Sequence, residues 1–167
     1  MATDGRKLYV GVSDLNAGKW TVFDSPGSDA KIALAENGRP GVYALDLASG
    51  KVEWEQHPEH QHDGVAVPSI FSAALSVTND LVFAGSLDGV VHAFRTDDGT
   101  SMWSRDTRNV EPIADASGNA VQGGTIDGAG PVVAGTDLMV NSGYGAFGGA
   151  SQFQAGTGNA LFVFRVK

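Results

Sequence analysis

Two copies of one pattern decide the fold: Gly41-Val-Tyr-Ala-Leu-Asp-Leu-Ala-Ser-Gly-Lys-Val-Glu-Trp54 and Val90-Val-His-Ala-Phe-Arg-Thr-Asp-Asp-Gly-Thr-Ser-Met-Trp103. Each copy has an alternating run, a tight turn that closes on glycine, and a second short run that ends in tryptophan. A shift of 49 residues superimposes the copies and pairs Gly50 with Gly99 and Trp54 with Trp103. Alternation is the period of a half-buried β-strand, so each copy predicts a β-hairpin.

A repeat of this length that contains only strand signals is typical of the blades of a β-propeller. Residues 73–104 predict a complete blade, because four apolar runs are joined by turns rich in Asn, Asp and Gly. Residues 1–56 predict a blade that lacks its first strand, and residues 130–167 a blade that lacks its last. The sequence therefore predicts an all-β chain: a single partial β-propeller of about three four-stranded blades in an open ring.

Four long connections, residues 13–40, 57–72, 105–129 and 143–158, separate the predicted strands. In an antiparallel meander alternate connections lie at the same end of the sheet, so all four are predicted to emerge at one end. Elaborated loops on a rigid scaffold commonly carry function. An open ring also leaves strand edges and sheet faces bare. The sequence therefore favours the C-terminal part of a longer propeller, and the alternative is closure by self-association.

The composition narrows the classes of function. Eleven basic and 19 acidic residues give a net charge of −8, which argues against binding to nucleic acid. The chain has no cysteine, and hence neither a disulfide nor a thiolate nucleophile. Neither a membrane span nor a signal peptide is predicted. A phosphate-binding loop, a dinucleotide fingerprint and a Gly-x-Ser-x-Gly elbow are missing from the sequence, which disfavours nucleotide-dependent and hydrolytic chemistry.

The repeat carries a family resemblance. Ala44-Leu-Asp-Leu-Ala-Ser-Gly-Lys-Val-Glu-Trp54 resembles the Ala-x-Asp-x-x-Thr-Gly-Lys-x-x-Trp repeat of quinoprotein dehydrogenases, which bind pyrroloquinoline quinone (PQQ) in a propeller. Non-enzymatic propellers such as the outer-membrane assembly lipoprotein BamB share this repeat. A more specific signal is Gly123-Gly-Thr-Ile-Asp-Gly-Ala-Gly-Pro131 followed by Val140-Asn-Ser-Gly-Tyr-Gly145. That order is similar to the C-terminal third of PQQ-dependent polyvinyl alcohol dehydrogenases.

The resemblance implies a function. Members of this family oxidise secondary alcohols by hydride transfer to PQQ with calcium as Lewis acid, in the periplasm or outside the cell, and pass electrons to an acceptor such as cytochrome c. The general-base Asp and the calcium ligands of the family are expected mostly in upstream blades, so these 167 residues are expected to be inactive alone. The alternative function is a non-catalytic propeller that binds a protein or polysaccharide. The resemblance also implies that Trp54 and Trp103 have a packing role between blades.

Asp127 is the first candidate for chemistry. It lies at the entrance to the innermost predicted strand of the last blade, where the channel of a propeller begins. A carboxylate there could bind the cofactor's calcium or accept the proton of an alcohol. The alternative is an Asp-Gly turn in which Asp127 bonds its own backbone.

Four more residues are candidates for binding the cofactor. Gly123 and Gly124 would let backbone N–H groups approach an anionic quinone closely, unless they only make a flexible loop. Asn141 and Tyr144 could donate hydrogen bonds to quinone carbonyls, but the sequence favours the alternative, in which their side chains satisfy the glycine-rich loop that follows.

Three histidines and an aspartate share one short segment: His57, His60, His62 and Asp63. Imidazole and carboxylate suit zinc or copper. Their spacing fits neither a helical pair nor a zinc finger, so the sequence predicts solvated loop histidines and no metal site in this chain. His92 lies on a predicted strand, where it is expected to pack beside Phe94.

Overall fold

The computed structural model describes residues 1–15, 35–62, 65–108, 113–143, 155 and 158–165. Within these ranges the regular secondary structure is entirely β. The strands are β1 (Ala2–Thr3), β2 (Lys7–Val12), β3 (Gly41–Asp46), β4 (Val52–Gln56), β5 (Glu59–His62), β6 (Val65–Pro68), β7 (Ser76–Val77), β8 (Leu81–Gly85), β9 (Val90–Arg95), β10 (Ser101–Asp106), β11 (Ile113–Ala114), β12 (Ala120–Val121), β13 (Val132–Ala134), β14 (Asp137–Ser142) and β15 (Ala160–Arg165).

Three antiparallel sheets form the body of the molecule. Their strand orders are β1-β2-β3-β4, β7-β8-β9-β10 and β13-β14-β15, so each sheet is a meander of sequential strands. Two short hairpins, β5–β6 and β11–β12, lie in the connections between the sheets. The second sheet has the four strands that the sequence predicts for residues 73–104. The third sheet has three strands.

The first sheet contains a strand that the sequence analysis missed. Ala2 and Thr3 pair with Tyr9 and Leu8, so the first sheet is not short of its first strand. The Asp4 carboxylate accepts the backbone N–H groups of Arg6 and Lys7, each at 2.8 Å, and so closes the β1–β2 turn. A two-residue strand is too short to show an alternating pattern, which is why the sequence gives no sign of it.

Two of the predicted connections are also partly ordered as strands. The connection 57–72 contains β5–β6 and the connection 105–129 contains β11–β12. The sequence Glu59-His-Gln-His62 is polar throughout, so it lacks the apolar alternation by which strands are recognised. A short strand considered at residues 20–23 lies outside the described residues.

The first and second sheets pack face to face through one apolar cluster. Its buried members come from both sheets and from the segment before β7: Tyr9, Val42, Ala44, Trp54, Phe71, Leu75, Val82, Ala84 and Phe94. The Trp54 ring lies over Gly99, and its Nε1–H donates to the carbonyl oxygen of Thr96 at 2.9 Å. Trp54 is 7% exposed, so its predicted packing role is confirmed.

The second and third sheets share a second cluster of buried residues: Ala73, Val91, Ile126, Leu138 and Val140. Trp103 of the second sheet contacts Phe164 of the third with 5.1 Å between ring centroids, but it remains 37% exposed. On the other face of the third sheet Val132, Leu161 and Val163 are each more than half exposed. This bare face is what an open ring is expected to present.

The described connections gather at one end of the sheets, which we call the loop end. It comprises the described parts of the connections 57–72 and 105–129, the β8–β9 turn at residues 86–89, and the C-terminal end of β14. The N–H of Leu87 donates to the carbonyl of Ile70 at 2.8 Å, and the N–H of Thr107 donates to that of Gly89 at 2.9 Å. The connections 13–40 and 143–158 lie mostly outside the described residues.

Within the described residues, no helix is long and apolar enough to cross a membrane.

Candidate functional site

The carboxylate of Asp127 lies at the loop end, where the chain enters the third sheet. Its Oδ1 accepts two hydrogen bonds, from Ser72 Oγ at 2.6 Å and from the backbone N–H of Gly128 at 2.8 Å. Its Oδ2 is buried and has no hydrogen-bond partner among the described residues. The predicted Asp-Gly turn is therefore present, with Gly128 in the left-handed region at φ 69°. It occupies only one of the two carboxylate oxygens.

The backbone around Asp127 is held on both sides. Ile126 is fully buried and packs against Gly85 of β8, where any side chain would collide with it. On the other side, the carbonyl of Gly128 accepts the N–H of Ala74 at 3.1 Å. Because its neighbours are fixed in this way, Asp127 presents its carboxylate from a rigid frame, as a binding group requires.

Thr125 adds a second unsatisfied oxygen near Asp127 in the chain. The residue is buried, and its Oγ1 has no hydrogen-bond partner among the described residues. Nearly all buried polar atoms in proteins have partners, so two exceptions within three residues call for an explanation. A bound cation or hydroxyl group would provide one.

The unpaired carboxylate oxygen has the chemistry of a calcium ligand. Calcium takes about six to eight oxygen ligands, among them carboxylates. Asp127 Oδ2 is an oxygen of that kind. Across the described ranges no three His, Cys, Asp or Glu residues are grouped so that they could hold a metal ion. Any fit to calcium therefore rests on the single carboxylate of Asp127.

Gly123 and Gly124 are both buried in contacts between elements of the loop end. The N–H of Gly124 donates to Ser142 Oγ at 2.8 Å, and this hydroxyl lies 2.6 Å from Thr107 Oγ1. A side chain at position 123 would collide with the carbonyl of Thr107. The Gly124 N–H predicted to approach a quinone is thus already occupied, and Gly123 allows a close approach to Thr107.

The remaining predicted cofactor contacts are Asn141 and Tyr144. Asn141 lies on β14 opposite Leu161, and it is exposed on the bare face of the third sheet. Tyr144 lies outside the described residues. Their roles in binding a quinone stay predictions.

A second carboxylate at the loop end, Asp88, is fully satisfied. It is 3% exposed and accepts hydrogen bonds from Ser69 Oγ at 2.6 Å, from Ser86 Oγ and from the N–H of Val90 at 3.1 Å. His60 Nδ1 lies 2.8 Å from its Oδ2. Burial raises the pKa of Asp88, but the hydrogen bonds from His60, Ser69 and Ser86 outweigh it and bring the pKa to about 2.

The prediction of solvated loop histidines is therefore wrong for His60. The β5–β6 hairpin folds back onto the β8–β9 turn, so the His60 side chain is only 9% exposed beside Asp88. His57 is half-buried, and its Nδ1 lies 2.8 Å from the carbonyl oxygen of Pro40. The side chain of His62 and the whole of Asp63 lie outside the described residues.

His92 packs beside Asp88 as a neutral base. Its ring stacks on Phe94 with 5.7 Å between centroids, as the sequence predicts. Burial is the main cause that lowers the pKa of His92 to about 4, and it outweighs the opposing effect of the Asp88 charge. We call these residues, His60, Ser69, Ser86, Asp88 and His92, the Asp88 cluster. It combines the charged carboxylate of Asp88 with the neutral imidazole of His92 in the interior.

Comparison with known proteins identifies the family. The sequence profile of a PQQ-repeat family, described as "Outer membrane protein assembly factor BamB", matches residues 3–145. That match covers most of the chain, so the chain belongs to this PQQ-repeat family. The predicted all-β, partial propeller of PQQ-repeat type is confirmed.

The individual relatives include enzymes. The chain is 34% identical to polyvinylalcohol dehydrogenase of Sphingopyxis sp. (strain 113P3) and 33% identical to that of Pseudomonas sp., in each case over 99% of this chain and 24% of the relative. It is 31% identical to quinohemoprotein alcohol dehydrogenase ADH IIB of Pseudomonas putida, over 74% of this chain and 17% of the relative. The chain thus spans about a quarter of the length of the polyvinylalcohol dehydrogenases.

A solved structure is also similar. The crystal structure of BamB from Moraxella catarrhalis has a TM-score of 0.38 and 24% sequence identity, with 71% of this chain and 33% of that chain covered.

Proposed function

We propose that this chain forms the C-terminal part of a PQQ-dependent alcohol dehydrogenase that oxidises polyvinyl alcohol or another secondary alcohol. The observation that carries the proposal is Asp127 at the loop end, with one carboxylate oxygen fixed and the other buried but unpaired. The similarity to polyvinylalcohol dehydrogenases over 99% of the chain supports the class of reaction. When bound with calcium, PQQ would supply the hydride acceptor.

In this proposal Asp127 Oδ2 is an acceptor. It either contributes an oxygen to the cofactor's calcium or takes the proton of the substrate hydroxyl, while Oδ1 stays bonded to Ser72 and Gly128. The packed segment 123–126 excludes water on the side of the sheets, since all four of its residues are buried. Blades supplied by a longer polypeptide would complete the coordination sphere and the substrate site, and self-association is the alternative source.

The location and the electron acceptor follow from the same resemblance. A periplasmic or secreted enzyme that passes electrons to a cytochrome c is the arrangement we infer. The bare face of the third sheet, with Leu161 at 59% exposure, supports a further propeller blade as its neighbour.

Calorimetry on the 167-residue chain tests the proposal. Titration with PQQ and calcium chloride is expected to show binding that Asp127→Asn weakens at least about tenfold, since the lost charge matters most in a dry site. Asp46→Asn, at an exposed turn, is the matched control. Dye reduction with polyvinyl alcohol separates an active chain from one that binds without turnover. Binding of PQQ and calcium that Asp127→Asn leaves unchanged would contradict the proposal and favour a non-catalytic binding module.

A further inference from the structure

The segment 71–76 leads into the second sheet and lies beside Asp127. Every second side chain in this segment is buried. In residues 71–76 the side chains of Phe71, Ala73 and Leu75 are buried in the two apolar clusters. The residues between them face the lead-in to the third sheet and bond to it. These bonds join Ser72 Oγ to Asp127 Oδ1, the Ala74 N–H to the Gly128 carbonyl, and Ser76 Oγ to the Pro131 carbonyl.

Three successive contacts of this kind fix the two segments against each other. The first of them differs from the other two, because it ends on a side-chain carboxylate and not on a backbone carbonyl. Among these three contacts, the one made by Ser72 is therefore the one that restrains the orientation of the Asp127 carboxylate. Ser72 lies in the lead-in to the second sheet and Asp127 in the lead-in to the third, so the contact joins the segments that enter two sheets.

Both donors to Asp127 act on the same oxygen. Ser72 Oγ and the Gly128 N–H each bond Oδ1, at 2.6 and 2.8 Å, which fixes the plane of the carboxylate and leaves Oδ2 as the oxygen without a partner among the described residues. The Gly128 bond alone is a local turn and would let the side chain rotate. The serine hydroxyl supplies the second, non-local restraint.

We propose that Ser72 is a positioning residue that holds Asp127 in the one rotamer in which Oδ2 can receive a cation or a hydroxyl group. This inference rests on the proposed function, since it assigns Asp127 Oδ2 as the acceptor. It adds a residue from the lead-in to the second sheet to a site otherwise contributed by the lead-in to the third. A preorganised acceptor binds more tightly because no rotamer has to be frozen on binding.

Three variants of the chain test the proposal. In Ser72→Ala the three-bond couplings of Asp127 are expected to report averaged rotamers in place of one, and calcium is expected to bind about fivefold more weakly by calorimetry, the usual worth of one hydrogen bond. Ser72→Thr keeps the hydroxyl and is expected to restore both. Ser49→Ala is the matched control, since it removes a Ser–Asp hydrogen bond of the same 2.6 Å length at Asp46 and is expected to change neither.

The two readouts separate the possible failures. A single Asp127 rotamer in Ser72→Ala would overturn the positioning role, whatever the calcium affinity. Unchanged calcium binding in Asp127→Asn would contradict the proposed acceptor, while the rotamer measurement would still decide the role of Ser72. Calcium binding lost in Asp127→Asn but kept in Ser72→Ala would leave the acceptor standing without its positioning residue. Because Ser72 is exposed, an amide spectrum is expected to show that the fold is unchanged.

Discussion

Asp88 and Asp127 both lie at the loop end, but their surroundings differ. Asp88 is 3% exposed, and each of its oxygens has protein partners. Asp127 is less buried as a residue, yet its Oδ2 has no partner among the described residues. A fully bonded buried carboxylate stabilises the fold, whereas a half-bonded one leaves capacity for a ligand. The comparison therefore assigns Asp88 to the architecture and Asp127 to the candidate site.

The largest effect on the free energy of unfolding is expected from removing the fully hydrogen-bonded carboxylate of Asp88. Asp88→Ala should lower the free energy of unfolding by about 3 kcal/mol, because it removes the charge opposite His60 and leaves the buried Ser69 hydroxyl without its partner. Urea denaturation at neutral pH measures this value. The same substitution at Asp46, an exposed turn, is the control. A loss below about 1 kcal/mol would mean that the Asp88 cluster is not a structural centre.

Lowering the pH is expected to have an intermediate effect on the free energy of unfolding. The pKa of His92 falls from its ordinary 6.5 to about 4 on folding, so the unfolded chain takes up a proton first as the pH decreases. The stability contributed by neutral His92 is present above pH 6.5 and is lost as the pH falls toward 4. Asp88, with a pKa lowered from 3.8 to about 2, adds a further loss only below pH 4.

The variant His92→Gln isolates this effect. It is expected to flatten the decrease in unfolding free energy between pH 7 and pH 4, because glutamine does not titrate. His57→Gln, on the half-buried histidine outside this cluster, provides the comparison. An equal pH dependence in wild type and His92→Gln would show that His92 is not the group responsible.

The smallest effect on stability is expected at the candidate site. Asp127→Asn keeps an oxygen that can accept from Ser72 and Gly128, so the free energy of unfolding should change by less than about 0.5 kcal/mol. Thermal unfolding of the two proteins side by side measures it. A loss comparable with that of Asp88→Ala would place both carboxylates in the same structural class and remove the distinction between them.

The sequence predicts the sheets well because the signal is local and repeated. The alternation in residues 41–54 and 90–103, with glycine at the turn, sets both hairpins and the packing of Trp54. Strands β1 and β5 escape prediction because two residues or a wholly polar strand give no hydrophobic period. Their positions are fixed by tertiary contacts, such as that between His60 and Asp88.

Part of the candidate site is predictable because its signal, too, is local in the sequence. Asp127 stands out because an Asp-Gly pair lies at the entrance to a predicted strand. Its partner Ser72 is 55 residues away, so no local pattern joins the two. The period of buried residues at positions 71, 73 and 75 is a signal that could have placed Ser72 on the opposite face. The occupied N–H of Gly124 depends on Ser142 at the end of β14, 18 residues away, and could not be foreseen.

A crystal structure of the chain with calcium and PQQ tests the central claim most directly. The account predicts a calcium ion about 2.3–2.6 Å from Asp127 Oδ2, with Oδ1 still bonded to Ser72. An Asp127 Oδ2 bonded to another group of the protein, with calcium and quinone bound elsewhere, would contradict it.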